Sequence, residues 1–575
     1  MSTRSEEDCD LLVIGSGAGG LSAAVSAAWH GLKVLVVEKE PVFGGTTAWS
    51  GGWMWVPHNP LAREAGIEED GQAVRTYLRH ELGNHYDEAR IESFLAAAPE
   101  MVSFFRQHTS VQFIDGNKIP DMHGNTPGAG LGGRSVCAAP IDGRELGSLA
   151  TTLRPPLPEI SLLGMGIASG ADFAHFLNAT RSWSSFGHVV RRIGRHALDF
   201  VRHGRGMQLV NGNALAARLL KSASDLGVDL RSKAPARRLL SRDGAVIGAV
   251  VGHDGRETRI MARAGVVLAC GGFPHDYERL RQLVPHNPTG REHWSAAPRS
   301  NTGDGLRLGE SVGALVDGGL AAPCAWAPVS LVPRRGGSFG HFPHLAERAK
   351  PGLIAVTADG CRFVNEADSY YDYIDAMLKA VPPGAEPVSW LICDHRFQRR
   401  YGLGFAKPAP LPITPYIASG YLKRGNTLEE LARACGIDPD GLNDTVARYN
   451  EAAAQGRDPQ FHRGETPYNR MGGDWAVKPN PSVAPIGDGP FYAVRIVPGS
   501  LGTFAGLKTD ERANVLDAQG RAIAGLFAVG ADMASIMGGT YPAGGINLGP
   551  AMTFGYLVGR NTATNVGARK VRAGS

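Results

Sequence analysis

Gly15-Ser16-Gly17-Ala18-Gly19-Gly20, followed by Glu38 and Lys39, have the types and spacing needed to hold the pyrophosphate and ribose of a dinucleotide. Gly15 permits a tight turn, Gly17 lets backbone approach a pyrophosphate, and Gly20 lets a helix sit close against the preceding strand. Glu38 stands 18 residues past Gly20, where a carboxylate accepts hydrogen bonds from a ribose. A second cluster, Phe43-Gly-Gly-Thr-Thr-Ala-Trp-Ser-Gly-Gly52, contributes Gly45, Thr46, Thr47, Ser50, Gly51 and Gly52 as a loop suited to wrapping a pyrophosphate and a flavin. The chemistry such residues serve is the binding of a redox dinucleotide.

Three elements must position these groups. Residues 10–14 form an apolar run short enough for a buried parallel strand, residues 23–29 supply small side chains for a closely packed helix, and residues 33–37 read as a second strand. Far along the chain, Gly265-Val-Val-Leu-Ala-Cys-Gly-Gly272 is another buried strand ending in paired glycines. Residues 526–530 form a further strand ending at Gly530, with Asp532 placed to bind ribityl hydroxyls. A glycine-rich segment containing Asn547 and Leu548 follows and ends at Gly555. NAD and FAD share the first fingerprint, and the added clusters together favour FAD. Both ends of the chain therefore read as one flavin site, with the substrate held by the middle.

At 575 residues the chain exceeds the roughly 250–300 residues at which a single core stops growing, so two domains or one large discontinuous domain are expected. The net charge of +4, with 20% charged residues, gives no electrostatic case for a nucleic-acid partner and points to a small molecule. Seven single cysteines, with no Cys-x-x-Cys spacing, argue against zinc, an iron–sulfur cluster or a redox dithiol, and no metal is expected. They fit a reducing cytoplasm. The polar start and the absence of any apolar stretch of about 18–20 residues predict neither export by a signal peptide nor a membrane span. The basic tail from Gly567 is expected to be frayed.

Residues 119–170, rich in Gly and Pro, read as an extended excursion that walls an active site. Residues 186–201 place Val189, Val190, Ile193, Ala197 and Phe200 or Val201 on one helical face, with Arg191, Arg192, Arg195 and Arg202 largely elsewhere. The plainer expectation is a surface helix covering the core. The sharper one is a peripheral membrane contact for an enzyme whose substrate partitions into lipid. Residues 213–226 read as a helix and 237–251 as a hairpin turning at Asp243-Gly244. The character changes after Gly272, and Asn301-Thr-Gly-Asp304-Gly305 is a plausible junction touching the flavin. The expected architecture is α/β: a discontinuous Rossmann-like FAD-binding domain, 1–294 and 493–575, with an inserted α+β substrate domain, 295–492.

The pattern resembles the FAD-dependent fumarate reductase and succinate dehydrogenase flavoprotein superfamily, and within it the 3-ketosteroid dehydrogenases. The resemblance implies that Ala234 holds adenine through backbone. No histidine follows Gly44-Gly45, where succinate dehydrogenases attach flavin covalently, so non-covalent FAD is implied. Asp359-Gly-Cys-Arg-Phe-Val-Asn-Glu366 resembles the family's Gly-x-Arg-Phe-x-Asn-Glu signature, and Tyr370 stands where fumarate reductases carry a proton-delivering arginine and ketosteroid Δ1-dehydrogenases a proton-removing tyrosine. Tyr541-Pro-Ala-Gly-Gly545 resembles the ketosteroid enzymes' Tyr-Pro-Gly-x-Gly, which implies that the Tyr541 hydroxyl and the Gly545 N–H bind a 3-oxo group.

Physical logic agrees with the resemblance, because removing a hydrogen beside a ketone builds charge on the carbonyl oxygen that two donors stabilise. A tyrosine, with a free pKa of about 10, then needs a cationic neighbour or a relay to act as base. By residue type alone, any of Tyr370, Tyr371 and Tyr373 could be packing at a helix start, and Tyr541 also reads as a turn anchor. The chain departs from the family by lacking any tyrosine between Tyr86 and Tyr277, and His123 is the candidate substitute as assistant to the base, able to relay a proton or to shift the pKa of Tyr370. The implied activity is Δ1-dehydrogenation of a 3-ketosteroid with an unidentified electron acceptor. The alternatives are a Δ4-(5α) or cyclohexanone-type desaturase, an enoate reductase, and a non-catalytic flavin-binding sensor.

Overall fold

The computed structural model describes residues 5–253 and 255–573. Strand Ser5–Ile14 lies between Arg256–Leu268 and Val34–Val37, parallel to both, and Asp229–Arg231 and Ala522–Ala528 extend this parallel core on its two sides. Residues Leu11 to Ile14 and Val34 to Val37 are all buried, which is why these strands read as unbroken apolar runs rather than alternating ones. The sheet has eight strands, with the hairpin Ala236–Arg242 and Ala245–His253 added antiparallel.

Helix Ala18–Trp29 packs on the long C-terminal helix Leu548–Ala573. Small residues are required there. A Cβ at Gly555 would stand 2.4 Å from the Gly19 carbonyl oxygen, and one at Gly559 would stand 2.6 Å from the Ala27 nitrogen. Ser22 and Ser26 hydroxyls donate across the contact to the carbonyls of Met552, at 2.7 Å, and Tyr556, at 3.1 Å. This contact joins the two chain ends into one domain. The second helix continues to Ala573, so the basic tail expected to fray from Gly567 is helical as far as that residue, and the rest of the tail lies outside the described residues.

A second, seven-stranded sheet has the order Phe339–Pro343, Cys324–Pro333, Phe491–Thr503, Ser389–Asp394, Leu353–Val356, and both Trp294–Ser295 and Lys423–Gly425 also pair with its central strand. That strand runs to Thr503, so a division at 492/493 passes through it.

The helix expected over 186–201 spans Trp183–His203, but it does not cover the core with its apolar face. Its buried residues are Ser185, Arg192 and Asp199, because the face turned inward is held by polar bonds. Among the described residues no helix is long and apolar enough to cross a membrane.

Candidate active site

The first strand ends at Gly15, whose φ of +110° and whose position 2.1 Å, at an added Cβ, from the Ala269 carbonyl oxygen leave room for no side chain. The chain then turns into helix Ala18–Trp29 with Gly17 as an N-cap that has no side-chain cap, so backbone N–H groups face outward there. A Cβ at Gly17 would meet only the Thr47 hydroxyl, at 3.7 Å, so the surface over the helix end is open. Thr47 accepts from the Ala18 N–H at 2.9 Å and ties the second glycine cluster to the first. Glu38 accepts from the Ser16 hydroxyl at 2.7 Å and from the Glu40 N–H at 3.0 Å, and its carbonyl accepts from the Ala234 N–H at 2.8 Å.

A cavity of about 1970 Å³ opens over these groups. Its wall includes Gly15, Gly17, Ala18, Gly19, Gly20, Glu38, Lys39, Gly45, Thr46, Thr47, Ser50, Gly51, Gly52, Ala234, Asp304, Gly530, Asn547 and Leu548. The glycine-lined cradle, the helix end whose N-cap glycine supplies no side-chain cap, and the acidic group fit an FAD molecule. Lys39 and Asp304 form an ion pair on this wall.

Asp532 is placed differently from the expectation. It is fully buried and off the cavity wall, accepting from the Cys270 N–H at 2.5 Å and the Gly272 N–H at 2.9 Å. Both carboxylate oxygens are thus spent on backbone, and the residue anchors the glycine turn rather than reaching a ribityl chain. Gly272 is likewise off the wall, where an added Cβ would stand 2.1 Å from the Thr503 hydroxyl, while its neighbour Gly271 lines the cavity.

The same cavity passes between Tyr370, Tyr541 and Gly545. Tyr370 opens helix Tyr370–Ala380, which starts there because the Ser369 hydroxyl caps it, accepting from the Tyr371 N–H at 3.1 Å. The signature before it is structural. Buried Arg362 bridges Glu366 and Asp458 at 2.8 Å each, and Arg463 reaches Glu366 at 3.0 Å, locking the turn that delivers Tyr370.

Of the three tyrosines at this helix start, Tyr371 donates to the Gly539 carbonyl at 2.9 Å and Tyr373 bonds the Ser389 hydroxyl at 2.8 Å, while Tyr370 alone of them faces the cavity. The rings of Tyr370 and Tyr541 meet edge to face, 4.9 Å between centroids. Asn547 donates to the Tyr541 hydroxyl at 3.3 Å.

Burial, followed by the neighbouring Tyr541 and Tyr468, pushes Tyr370 well above the ordinary phenol value, and Arg348 pulls it back. Burial pushes Tyr541 up to about 12, against the Tyr370 and Asn547 hydrogen bonds, which lower it. Arg348 donates to the carbonyls of His344, Glu366 and Asp368, so its guanidinium is held by neutral oxygens beside Tyr370 and keeps its field.

The sequence did not signal Arg348, Tyr468 or Asp368. Each lines the cavity beside Tyr370 but belongs to no spaced motif. Asp368 is pushed up to about 6 by burial, with the Asn469 amide acting against the shift.

His123 is not on the cavity wall. Its Nδ1 lies 2.5 Å from Glu81 and its Nε2 lies 2.8 Å from Asp372. Burial opposes the charge, but hydrogen bonds to Asp372 and Glu81 outweigh it and push the imidazole up to about 11. Both ring nitrogens are thus engaged by carboxylates, and neither faces Tyr370 across the cavity. The histidine instead ties the 120–124 loop to the helix of Tyr370. The same loop holds the residue after Tyr541, because the Met122 N–H, at 3.0 Å, and the Tyr77 hydroxyl, at 2.6 Å, both donate to the Pro542 carbonyl.

Residues 10–548 match the model of a family described as FAD binding domain. The 4-oxocyclohex-2-ene-1-carboxylate 5-dehydrogenase of Sinomonas cyclohexanicum is 40% identical over 98% of this chain and 95% of its own. The 3-oxosteroid 1-dehydrogenase of Mycobacterium tuberculosis is 35% identical over 98% of this chain and 100% of its own. The crystal structure of the 3-ketosteroid Δ1-dehydrogenase of Sterolibacterium denitrificans, in complex with 1,4-androstadiene-3,17-dione, superposes with a TM-score of 0.89 at 35% identity, covering 97% of this chain and 100% of that one.

Proposed function

The chain belongs to the FAD binding domain family, within its 3-ketosteroid dehydrogenase branch, and from that premise we propose that it desaturates a cyclic 3-oxo compound next to the ring ketone. It is an FAD-dependent oxidoreductase acting on CH–CH groups. The observation that carries the reading is the edge-to-face pair of Tyr370 and Tyr541 on a cavity continuous with the dinucleotide cradle.

In this reading the Tyr541 hydroxyl and the Gly545 N–H donate to the ketone oxygen, where charge develops as the neighbouring C–H bond breaks. Tyr370 takes that α-proton as phenolate, with Arg348 favouring the charged form. Bound FAD supplies the acceptor for the adjacent hydrogen as hydride. In the free site Tyr370 is raised further than Tyr541, so the assignment requires a ketone oxygen that accepts from the Tyr541 hydroxyl and favours its neutral form, leaving Tyr370 to take the proton. We assign the inserted catalytic unit to residues 294–503, because strand Trp294–Ser295 pairs with the central strand of its sheet and that strand ends at Thr503.

A 3-ketosteroid is the favoured substrate. An ordinary small-molecule site occupies roughly 300–1,000 Å³, and a cavity of about 1970 Å³ leaves room for a fused ring system beside a dinucleotide. Its wall beyond the tyrosines includes the apolar side chains Leu157, Ile160, Met165, Phe173 and Phe186. A second reading, a single cyclohexanone ring bearing a carboxylate, is supported by Lys350 and Lys407 on the same wall and by the 40% identical relative. Burial lowers the pKa of both amines, a cost that a bound carboxylate would relieve.

Anaerobic mixing of the FAD-loaded protein with 4-androstene-3,17-dione, a 5α-reduced 3-ketosteroid, 4-oxocyclohexanecarboxylate, cyclohexanone and succinate separates these readings. Loss of oxidised flavin absorbance with a steroid is expected. Reduction by the carboxylate alone would move the substrate to small rings, and no reduction by any ketone would overturn the proposal.

His123 acts in this scheme as a positioning residue. Its raised pKa makes its stabilising contribution complete below the ordinary value of 6.5 and progressively lost as pH rises toward about 11. The melting temperature of His123→Gln should therefore fall below wild type by more at pH 6 than at pH 10, with kcat reduced and KM little changed. An equal deficit at both pH values would remove the ion-pair account. The reading also includes a peripheral membrane contact and leaves the electron acceptor to a separate partner.

A further inference from the structure

A phenol hydroxyl carries one hydrogen that rotates to suit its partners, so Tyr541 serves a ketone only if something turns that hydrogen toward the cavity. Ring contacts do not do this. Tyr370 at 4.9 Å and Phe504 at 5.9 Å between centroids hold the Tyr541 ring but leave its hydroxyl free to rotate. The amide of Asn547 is different, because its Nδ2 donates to the Tyr541 oxygen at 3.3 Å. An amide NH2 can only donate, so it takes a lone pair of that oxygen and the Tyr541 hydrogen must point elsewhere. A Tyr370 phenolate attracts the same hydrogen, so the ketone has to be the better-aligned acceptor, and the Asn547 contact fixes the oxygen that both compete for.

The turn that carries Asn547 is rigid. Gly545 takes a φ of +98°, and its carbonyl accepts from the Trp55 N–H at 3.1 Å and the Gly549 N–H at 3.0 Å. The Asn547 carbonyl accepts from the Ala551 N–H at 3.2 Å, which ties it to the first turn of the C-terminal helix. Trp55 is itself fully buried and donates from its indole to Asp121 at 2.9 Å. The hydroxyl at 541, the N–H at 545 and the amide at 547 therefore belong to one pinned segment on the cavity wall. Burial raises the Tyr541 phenol and the Asn547 amide works against that shift, which makes the hydroxyl a better donor to an oxygen gaining charge.

We propose that Asn547 is a positioning residue for the reaction: it turns the Tyr541 hydroxyl toward the ketone and so completes, with the Gly545 N–H, the pair of donors to the developing enolate oxygen. Asn547 also lines the dinucleotide cradle, but the hydrogen bond its amide makes is to Tyr541. The role rests on the proposed ketone chemistry.

A double-mutant cycle in the FAD-loaded protein tests it, read as the anaerobic rate of flavin reduction by 4-androstene-3,17-dione and by 4-oxocyclohexanecarboxylate. Asn547→Asp keeps the shape and replaces the donor by acceptors, so the Tyr541 hydrogen turns to the carboxylate. The rate should fall by about 10²-fold, toward that of Tyr541→Phe. Asn547→Leu removes the donor without adding a charge and should cost about tenfold, with the rise of kcat/KM with pH retained because Tyr370 is untouched. In a Tyr541→Phe background either substitution should cost less than about twofold, since no hydroxyl is left to turn. FAD should stay bound throughout, and if Asn547→Asp releases it, the cycle with Asn547→Leu decides.

Equal losses with and without the Tyr541 hydroxyl would place the Asn547 effect on the flavin and overturn the proposal. Wild-type rates in both single variants would do the same. A wild type reduced by neither ketone would instead overturn the ketone reading, and this role with it.

Discussion

Replacing Tyr370 by Phe should lower the rate of anaerobic flavin reduction by about 10²–10⁴-fold, the range lost with a positioned general base, while FAD remains bound. The variant removes one hydroxyl and keeps the ring that packs on Tyr541. Burial holds the phenol protonated well above its ordinary value in the absence of substrate, so only a small phenolate fraction exists near neutrality. That fraction grows tenfold with each pH unit below the pKa. The wild-type kcat/KM should accordingly climb with pH toward the alkaline side, and the residual rate of Tyr370→Phe should lose that slope. Stopped-flow absorbance with a reducing ketone reads both. Full activity in Tyr370→Phe together with a dead Tyr468→Phe would transfer the base to Tyr468, which shares the cavity and the Arg348 field.

Tyr541→Phe should cost about 10²–10³ in the same rate, the loss expected when one of two donors to a developing oxyanion is removed. Weaker ketone binding should accompany it. The pH slope should survive, because the base is untouched. The two variants are therefore distinguishable by profile as well as by size, and they are close enough that their effects should not add. A Tyr541→Phe enzyme with wild-type rate and KM would leave the hydroxyl as a packing group donated to by Asn547, and would remove the carbonyl-binding assignment.

Sequence alone determined the dinucleotide cradle. Gly15, Gly17 and Gly20 are local backbone requirements, and the apolar runs beside them can only be strands buried on both faces, so fold class and cofactor follow from short-range pattern. The same holds for the joining of the chain ends, which the small residues of two helices encode. Tyr370 and Tyr541 were legible because each sits in a spaced motif.

Tertiary structure alone decided between Tyr370, Tyr371 and Tyr373, since which hydroxyl meets the cavity depends on what Gly539 and Ser389 offer the other two. It placed Asp532 and His123 off the cavity wall, because the partners of both are set by segments remote in the chain. It also turned the helix of residues 183–203 around. Periodicity shows that a helix has an apolar face, but the sequence carries no record of which way that face points. That is settled by the polar partners Gly166, Arg144 and Asp172, which hold the other face inward.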